Sequence, residues 1–215
     1  MMTLLSGYDQ TTQDLIFRVY AAVIPDTDRL SRNRASHFCA YDLLGAALAE
    51  DFDIYHAKIK REGLGKPMLI HDTLQMNLSH CKGLAVAAVG RVPLGVDAEP
   101  PREITDKLIR TVCTSQETAW ISGHADESKL FAFSREWTLK EAYTKYTGEG
   151  LRRPFSSLEF LLADGLEFRH PAAHKVQLYQ LLHGEKYVVS LCVPSGAYDT
   201  KAADGWELTE SGLLF

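Results

Sequence analysis

The 215-residue sequence lacks the patterns that would assign it to a disulfide-rich, metal-ribbon or membrane class. Its four cysteines are widely spaced and form no C-x-x-C pair, which argues against a zinc ribbon or a disulfide framework. The longest run of small apolar residues, 84–89, is far too short to span a bilayer. The N-terminus has neither the basic flank nor the apolar core of a signal peptide. We therefore expect a cytoplasmic protein with reduced thiols and no membrane partner.

An excess of positive charge is also missing. The net charge is −5, so the overall field does not favour non-specific binding to nucleic acid, and we expect no nucleic-acid partner. There is no low-complexity segment and no short repeat. Hydrophobic residues make up 46% of the chain, which is ordinary for a globular protein of this length with a real core.

The order of the predicted elements is mixed, which indicates an α+β fold rather than a repeated βαβ unit. Residues 10–24 fit either a strand or a helix. The other predictions are a helix over 28–52, strands at 74–80, 83–90 and 94–99, helices at 102–112, 115–122 and 128–147, and a β-rich stretch over the last sixty residues. Ser115 is the predicted N-cap of its helix. A proline-rich break near 93–101 divides the chain into halves, 1–95 and 96–215.

Two carboxylates stand at the end of the strand predicted over 94–99. Residues i and i+2 of a strand point to the same face, so Asp97 and Glu99 project together while Val96 and Ala98 face the other way. Two like charges side by side favour a cation between them, and Mg²⁺ takes a few carboxylates together with phosphate oxygens. A solvated strand end before a proline turn is the alternative interpretation.

The helix predicted over 128–147 carries a polar row on one face. Trp137, Glu141 and Lys145 recur every four residues. They form either an ordinary i,i+4 ion pair or a third carboxylate for a metal together with a cation for a phosphate. The remaining faces are largely apolar, so we expect this helix to be well buried.

Two further segments contain polar residues near predicted turns or strand ends. Lys66 lies in the Gly/Pro turn "GLGKP", and Ser79 and His80 end the strand "LQMNLSH". Each segment is compatible with ligand binding or with simple solvation. A serine nucleophile is not favoured, because adjacent Ser and His residues rarely face each other and no G-x-S-x-G elbow is present.

The order of these motifs carries more information than any one of them. G-K-P, N-L-S-H, G-V-D-x-E, W-T-x-K-E-A-Y-x-K and G-x-G-L follow one another between residues 63 and 151. This series resembles the 4′-phosphopantetheinyl transferases of the surfactin-synthetase-activating type. The resemblance implies an α+β protein of two similar halves, a pseudo-dimer with a small sheet and helices in each, that acts as a monomer. The implied substrates are coenzyme A and an apo acyl or peptidyl carrier protein.

The resemblance also implies roles for individual residues. Asp97, Glu99 and Glu141 match the acids that hold Mg²⁺, with Mn²⁺ as an alternative ion, and Lys145 matches the lysine that faces the phosphates. Glu117 matches a further acid near the metal. The residues that match coenzyme A-binding segments are Lys66, Pro67, Ser79 and His80, and the basic residues placed for its 3′-phosphate are Arg29, Arg32 and Arg34.

The implied reaction moves 4′-phosphopantetheine to a carrier serine and releases 3′,5′-ADP. A metal and a lysine suit the charge that builds on the pyrophosphate. The proton acceptor stays open between Glu141, which we favour, Glu117 and a metal-bound water. The alternatives are a Mg²⁺-dependent nucleotide phosphohydrolase and a non-catalytic coenzyme A-binding paralogue. The sequence indicates neither the natural carrier nor the preference between coenzyme A and its acyl derivatives.

Overall fold

The structure is a computed structural model that describes residues 1–24, 29–61, 66–71, 73–101 and 103–211. The side chains of residues 29–34 and of residue 127 lie outside this description. The four cysteines are all free, as the sequence predicts. None of the helices in the described ranges is long and apolar enough to cross a membrane.

The chain forms long antiparallel strands and two long helices, so the α+β prediction is confirmed. The elements up to residue 90 are β1 (Met2–Asp9), β2 (Leu15–Val23), α1 (Arg29–Phe52), β3 (Ile59–Lys60), β4 (Met68–Leu69), β5 (Gln75–Cys81) and β6 (Leu84–Gly90). Those after residue 90 are β7 (Gly95–Glu99), α2 (Asp106–Val112), α3 (Ser115–Ser122), α4 (Asp126–Thr147), β8 (Glu159–Leu161), β9 (Glu167–Arg169), β10 (Val176–His183), β11 (Tyr187–Pro194), β12 (Tyr198–Ala202) and β13 (Glu207–Glu210).

Two antiparallel sheets organise the molecule. The first has the strand order β12-β1-β2-β6-β5 and the second has the order β13-β10-β11-β7. Short ribbons, β3–β4 and β8–β9, lie outside them. The sequence leaves residues 10–24 open between a strand and a helix. In the structure, residues 15–23 form a strand that pairs with β1 and β6.

Each sheet is packed against one long helix. On α1, Leu44 and Leu48 are buried against strands of the first sheet. On α4, Leu139 and Tyr143 are buried against β10 and the β8–β9 ribbon. Thr138 on another face of α4 is also fully buried, so this helix is enclosed on several sides, as the sequence predicts. The fold therefore repeats one plan, a sheet with a long helix, in each half.

The two halves share a core. One continuous cluster includes Val19 and Val86 of the first sheet together with Val96 and Leu191 of the second. Strand β12 comes late in the chain, yet it pairs with β1 in the first sheet. A division at residue 95 stays a prediction, and it cuts through this shared core.

The N-cap predicted for α3 is wrong by one residue. Thr114, not Ser115, caps the helix, and Glu117 at the third helical position completes a capping box with it. The hydroxyl of Thr114 accepts from the Glu117 N–H, and the Glu117 carboxylate accepts from the Thr114 N–H. This reciprocal pair satisfies two N–H groups that the helix itself cannot bond.

Candidate active-site cleft

An open cleft of about 290 Å³ lies where the two halves meet. Three elements form its walls: β5 from the first half, and β7 and α4 from the second. The lining residues are Leu78, Ser79, His80, Asp97, Glu99, Trp137, Glu141 and Lys145. The structure thus brings together six of the residues that the sequence predicts for the site.

Strand alternation positions the two β7 acids. Val96 and Ala98 point into the shared core, so Asp97 and Glu99 point into the cleft. The register is set by pairing with β11, which places Asp97 opposite Ser190 and Glu99 opposite Val188. The predicted common face of the acidic pair is therefore present in the fold.

Helix periodicity positions the α4 residues. Trp137, Glu141 and Lys145 line the cleft from successive turns. Helix α4 approaches β7 very closely at Gly95, where an added Cβ would lie 2.2 Å from the Ala142 carbonyl oxygen. A residue without a side chain is needed at this crossing, and it lets the helix carry its polar row up to the strand.

Side chains of β5 fasten the edge of β7 across the boundary between the sheets. The Asn77 Oδ1 accepts from the Val96 N–H at 2.7 Å, and the Ser79 Oγ accepts from the Ala98 N–H at 3.3 Å. The same Ser79 hydroxyl donates to Asp97 Oδ1 at 2.8 Å. These bonds replace the backbone ladder that an edge strand lacks. Ser79 is thus buried and engaged with Asp97 rather than available as a nucleophile.

The Lys145 side chain reaches from α4 to three oxygen atoms, two on β7 and one on β5. Its Nζ lies 2.6 Å from Asp97 Oδ1, 3.1 Å from the Val96 carbonyl and 3.3 Å from Ser79 Oγ. An ammonium that has three donors is fully occupied by this set. The pair with Asp97 is partly buried, so it is screened less than a surface ion pair.

The other Asp97 oxygen is the cleft's most unusual atom. Asp97 Oδ2 is buried and has no hydrogen-bond partner among the described residues. A buried carboxylate oxygen without a partner is costly, and a cation at this position would remove the cost. Within the described ranges, no three His, Cys, Asp or Glu side chains are gathered closely enough to form an assembled metal site. The acids therefore line one cleft without converging on one point.

His80 stands exposed at the mouth of the cleft. Partial desolvation, and next the electrostatic effects of His37 and Lys145, lower the pKa of His80 below its ordinary value. The imidazole is consequently mostly neutral at physiological pH. An approaching phosphate would favour its protonated, cationic form.

Some of the residues predicted to bind coenzyme A do not line the cleft, and the side chains of others are not among those that the structure describes. Lys66 directs its ammonium to the carbonyls of Leu94 and Lys145, and Pro67 follows it without lining the cleft. The side chains of Arg29, Arg32 and Arg34, predicted for the 3′-phosphate, lie outside the described residues.

Glu117 is also absent from the cleft. It is fully buried and accepts hydrogen bonds from Lys140 Nζ at 2.8 Å and from the backbone N–H groups of Thr114 and Phe160. Lys140 is fully buried as well, and it also donates to the Phe155 and Leu158 carbonyls. Glu117 therefore has a satisfied structural environment, and the geometry gives no support to its predicted place near a metal. The sequence contains Lys140 beside Glu141, but no local pattern indicates that it pairs with Glu117.

A second, larger cavity of about 720 Å³ lies in the second half, between α3, the β8–β9 ribbon and the start of β10. Its walls include Trp120, Phe160 and Phe168. It shares no lining residue with the cleft. None of the cleft acids or Lys145 reaches it.

Comparisons with known proteins agree with the prediction from the sequence motifs. Residues 93–192 match the model of the 4′-phosphopantetheinyl transferase superfamily, a region that includes Asp97, Glu99, Glu141 and Lys145. The chain is 31% identical over 122 residues to the 4′-phosphopantetheinyl transferase gsp of Aneurinibacillus migulanus, covering 54% of this chain and 51% of that one. It is 30% identical over 151 residues to the 4′-phosphopantetheinyl transferase HetI of Nostoc sp., covering 67% and 63%.

The chain spans about half to two thirds of the length of these curated relatives. Among solved structures, it is similar to a holo-(acyl-carrier-protein) synthase from Bacillus anthracis in complex with CoA (3′,5′-ADP), with 18% identity, a TM-score of 0.42 and coverage of 49% of this chain and 97% of that one. The α+β assignment rests on this chain's own helices and antiparallel sheets. The match over residues 93–192, which contain most of the cleft residues, makes this part of the chain similar to the 4′-phosphopantetheinyl transferase superfamily.

Proposed function

We propose that the protein transfers 4′-phosphopantetheine from coenzyme A to a serine of an apo acyl or peptidyl carrier protein. One observation carries the proposal: β7 and α4, both inside the matched region, bring Asp97, Glu99, Glu141 and Lys145 to a single cleft. Three carboxylates and one ammonium are the groups that the metal and phosphates of such a reaction need.

The cleft residues fit a hard divalent ion. The unpartnered Asp97 Oδ2 offers a buried oxygen, and Glu99 and Glu141 line the same space. We propose that these three hold Mg²⁺, with Mn²⁺ as an alternative ion of similar ligand preference. When bound, the ion would neutralise part of the charge on the pyrophosphate of coenzyme A.

The residues of the chain would then act on the substrate as follows. Lys145, now on Asp97, would donate to a pyrophosphate oxygen once a cation satisfies that carboxylate. His80 would add a donor at the cleft mouth. Glu141 would accept the proton of the carrier serine, because Glu117 is occupied by Lys140 away from the cleft.

The bonds change in one displacement. The serine oxygen forms a bond to the phosphorus that bears pantetheine, and the bond from this phosphorus to the bridging oxygen of the pyrophosphate breaks. The bridging oxygen leaves with 3′,5′-ADP, and the serine proton goes to Glu141. Lys145 faces the oxygens on which charge accumulates, so its contribution is to the transition state.

We also propose that a monomer suffices. One chain supplies both walls, since β5 comes from the first half and β7 and α4 from the second. Light scattering in dilute buffer should give the mass of one chain. A stable trimer would contradict this proposal.

The function is tested by incubating the protein with coenzyme A, Mg²⁺ and an apo carrier protein, and then measuring the intact mass of the carrier. We expect the carrier to gain one phosphopantetheine group, and the Glu141→Gln variant to lose most of this transfer. Glu50→Gln, an exposed position on α1, is the matched control and should transfer at the parent rate. Cleavage of coenzyme A without a carrier would favour the phosphohydrolase alternative. Binding of coenzyme A without any turnover would favour the non-catalytic one.

A further inference from the structure

Lys66 makes a contact that the sequence does not indicate. It lies in the first half of the chain, just before β4, and its side chain is partly buried. Its Nζ donates to the carbonyl oxygen of Leu94 at 2.6 Å and to that of Lys145 at 3.3 Å. Both acceptors are backbone groups, and Lys66 itself does not line the cleft.

The two acceptors belong to the elements that carry the charged cleft residues. Leu94 is fully buried and directly precedes β7, which carries Asp97 and Glu99. Lys145 lies in the last turn of α4, which ends at Thr147. The last four carbonyls of a helix have no partner within it, and a cation there also interacts favourably with the helix dipole. One ammonium thus satisfies an unpaired carbonyl of α4 and joins it to the start of β7.

The position of this ammonium coincides with the closest approach of the two elements. At Gly95, next to Leu94, an added Cβ would lie 2.4 Å from the backbone nitrogen of Tyr146, the residue after Lys145. Small changes in this crossing would therefore move Lys145 relative to Asp97. Burial, and next the charge of Lys145, lower the pKa of Lys66 to about 8. The charged form of Lys66 is therefore less favourable at this position than it would be in water.

We propose that Lys66 is a positioning residue, which holds the last turn of α4 against β7 and so places Lys145, rather than a residue that contacts coenzyme A. The proposal rests on the proposed function of the cleft. It differs from what the resemblance implies for Lys66, because the ammonium lies on carbonyls and does not line the cleft.

The test is a double-mutant cycle of Lys66→Met and Lys145→Ala, read as kcat and as KM for coenzyme A. If Lys66 acts through Lys145, Lys66→Met should lower kcat about tenfold, with KM within about twofold of the parent value. The double variant should then be little slower than Lys145→Ala alone, because the two losses are not additive. Lys66→Arg, which can also donate to two carbonyls, should restore most of kcat. Lys58→Met, an exposed lysine before β3, is the matched control and should behave as the parent.

Two results would overturn the proposal: a rise in KM for coenzyme A at unchanged kcat, or losses that add in the double variant. Amide hydrogen exchange of residues 142–148, measured without substrates, provides a readout independent of activity. Exchange there should be faster in Lys66→Met than in Lys58→Met, and equal rates would also count against the proposal. If the parent transfers nothing while this difference is present, the proposed function has failed and the structural role of Lys66 stands. Should Lys66→Met fail to fold, Lys66→Gln, which removes the charge and shortens the side chain, replaces it in the same comparisons, with Lys66→Arg kept as the rescue variant.

Discussion

Single residues show how differently the acids of this chain are used. Asp97 keeps one buried oxygen without a partner among the described residues, whereas Glu117 accepts three hydrogen bonds. A buried charge with a complete set of partners serves stability, and one with an incomplete set is available for a ligand. We therefore expect Glu117 to stabilise the fold and Asp97 to interact with a ligand in the cleft.

The first prediction concerns Glu117. Removing one partner of a buried ion pair leaves the other charge uncompensated, so Glu117→Gln should lower the free energy of unfolding by about 3 kcal/mol or more. The new amide would also turn an NH₂ group toward donors that now bond a carboxylate. Urea unfolding of the variant and of the exposed control Glu50→Gln measures the loss. A stable Glu117→Gln protein with no transfer activity would instead support a catalytic role.

The second prediction concerns Glu136, which is fully buried and has no hydrogen-bond partner among the described residues for either oxygen. Burial, and next the charge of Glu117, raise the pKa of Glu136 well above its ordinary value, against the opposing effects of Lys140 and Arg135. The folded state therefore keeps a proton that the unfolded state loses above about pH 4.3. Stability from this group is present at low pH and declines as pH rises toward the folded pKa, by at most about 1.4 kcal/mol per pH unit.

Glu136→Gln removes this titration. We therefore compare the free energy of unfolding of the Glu136→Gln variant with that of the parent. The value for the variant minus the value for the parent should be larger at about pH 8 than at about pH 5.5. Urea unfolding of both proteins at the two pH values measures the difference. A difference that stays constant across this range would contradict a protonated Glu136.

At the scale of elements, local periodicity explains what could be predicted. The alternation of β7 gives Asp97 and Glu99 a common face, and the four-residue spacing of α4 does the same for Glu141 and Lys145. Each of these patterns depends only on neighbours along the chain. Helix and strand positions near the cleft followed from the same kind of information.

Contacts between distant segments could not be predicted in this way. Lys140 pairs with Glu117 in another helix, and Lys66 bonds carbonyls of the other half. Strand β12 returns to the first sheet, although nothing in its short sequence specifies β1 as its partner. Such contacts depend on packing and register over long sequence separations, which hydrophobic patterns do not specify.

The third prediction tests the crossing of α4 and β7. Gly95→Ala should lower the free energy of unfolding by about 3 kcal/mol or more, because the new methyl group would meet the Ala142 carbonyl and the Tyr146 backbone nitrogen. Gly45→Ala is the matched control. Gly45 is exposed on α1 with nothing within 4 Å of an added Cβ, so the same change should stabilise the protein by about 0.5–1 kcal/mol. Equal effects of the two substitutions in thermal melting would contradict the tight crossing.

At the scale of the whole molecule, the two halves depend on each other. Residues 1–94 alone would expose core residues such as Val19 and Val86, together with the edge of β1 that β12 now covers. The fourth prediction is that neither fragment 1–94 nor fragment 95–215 folds cooperatively by itself. Circular dichroism melting of each fragment, beside the intact chain, is the measurement. A sharp transition in fragment 1–94 would contradict the shared core.

The central proposal is that Asp97, Glu99 and Glu141, which line one cleft, together hold a metal ion that works with the phosphates of coenzyme A. The most direct measurement is the melting temperature of the parent and of Glu141→Gln, each with and without Mg²⁺ and coenzyme A together. A ligand set that binds only the folded state raises the melting temperature by an amount that grows with the logarithm of its concentration relative to its Kd. The account predicts a clear rise for the parent and little or none for Glu141→Gln. An equal rise in both proteins would contradict the assignment of the cleft.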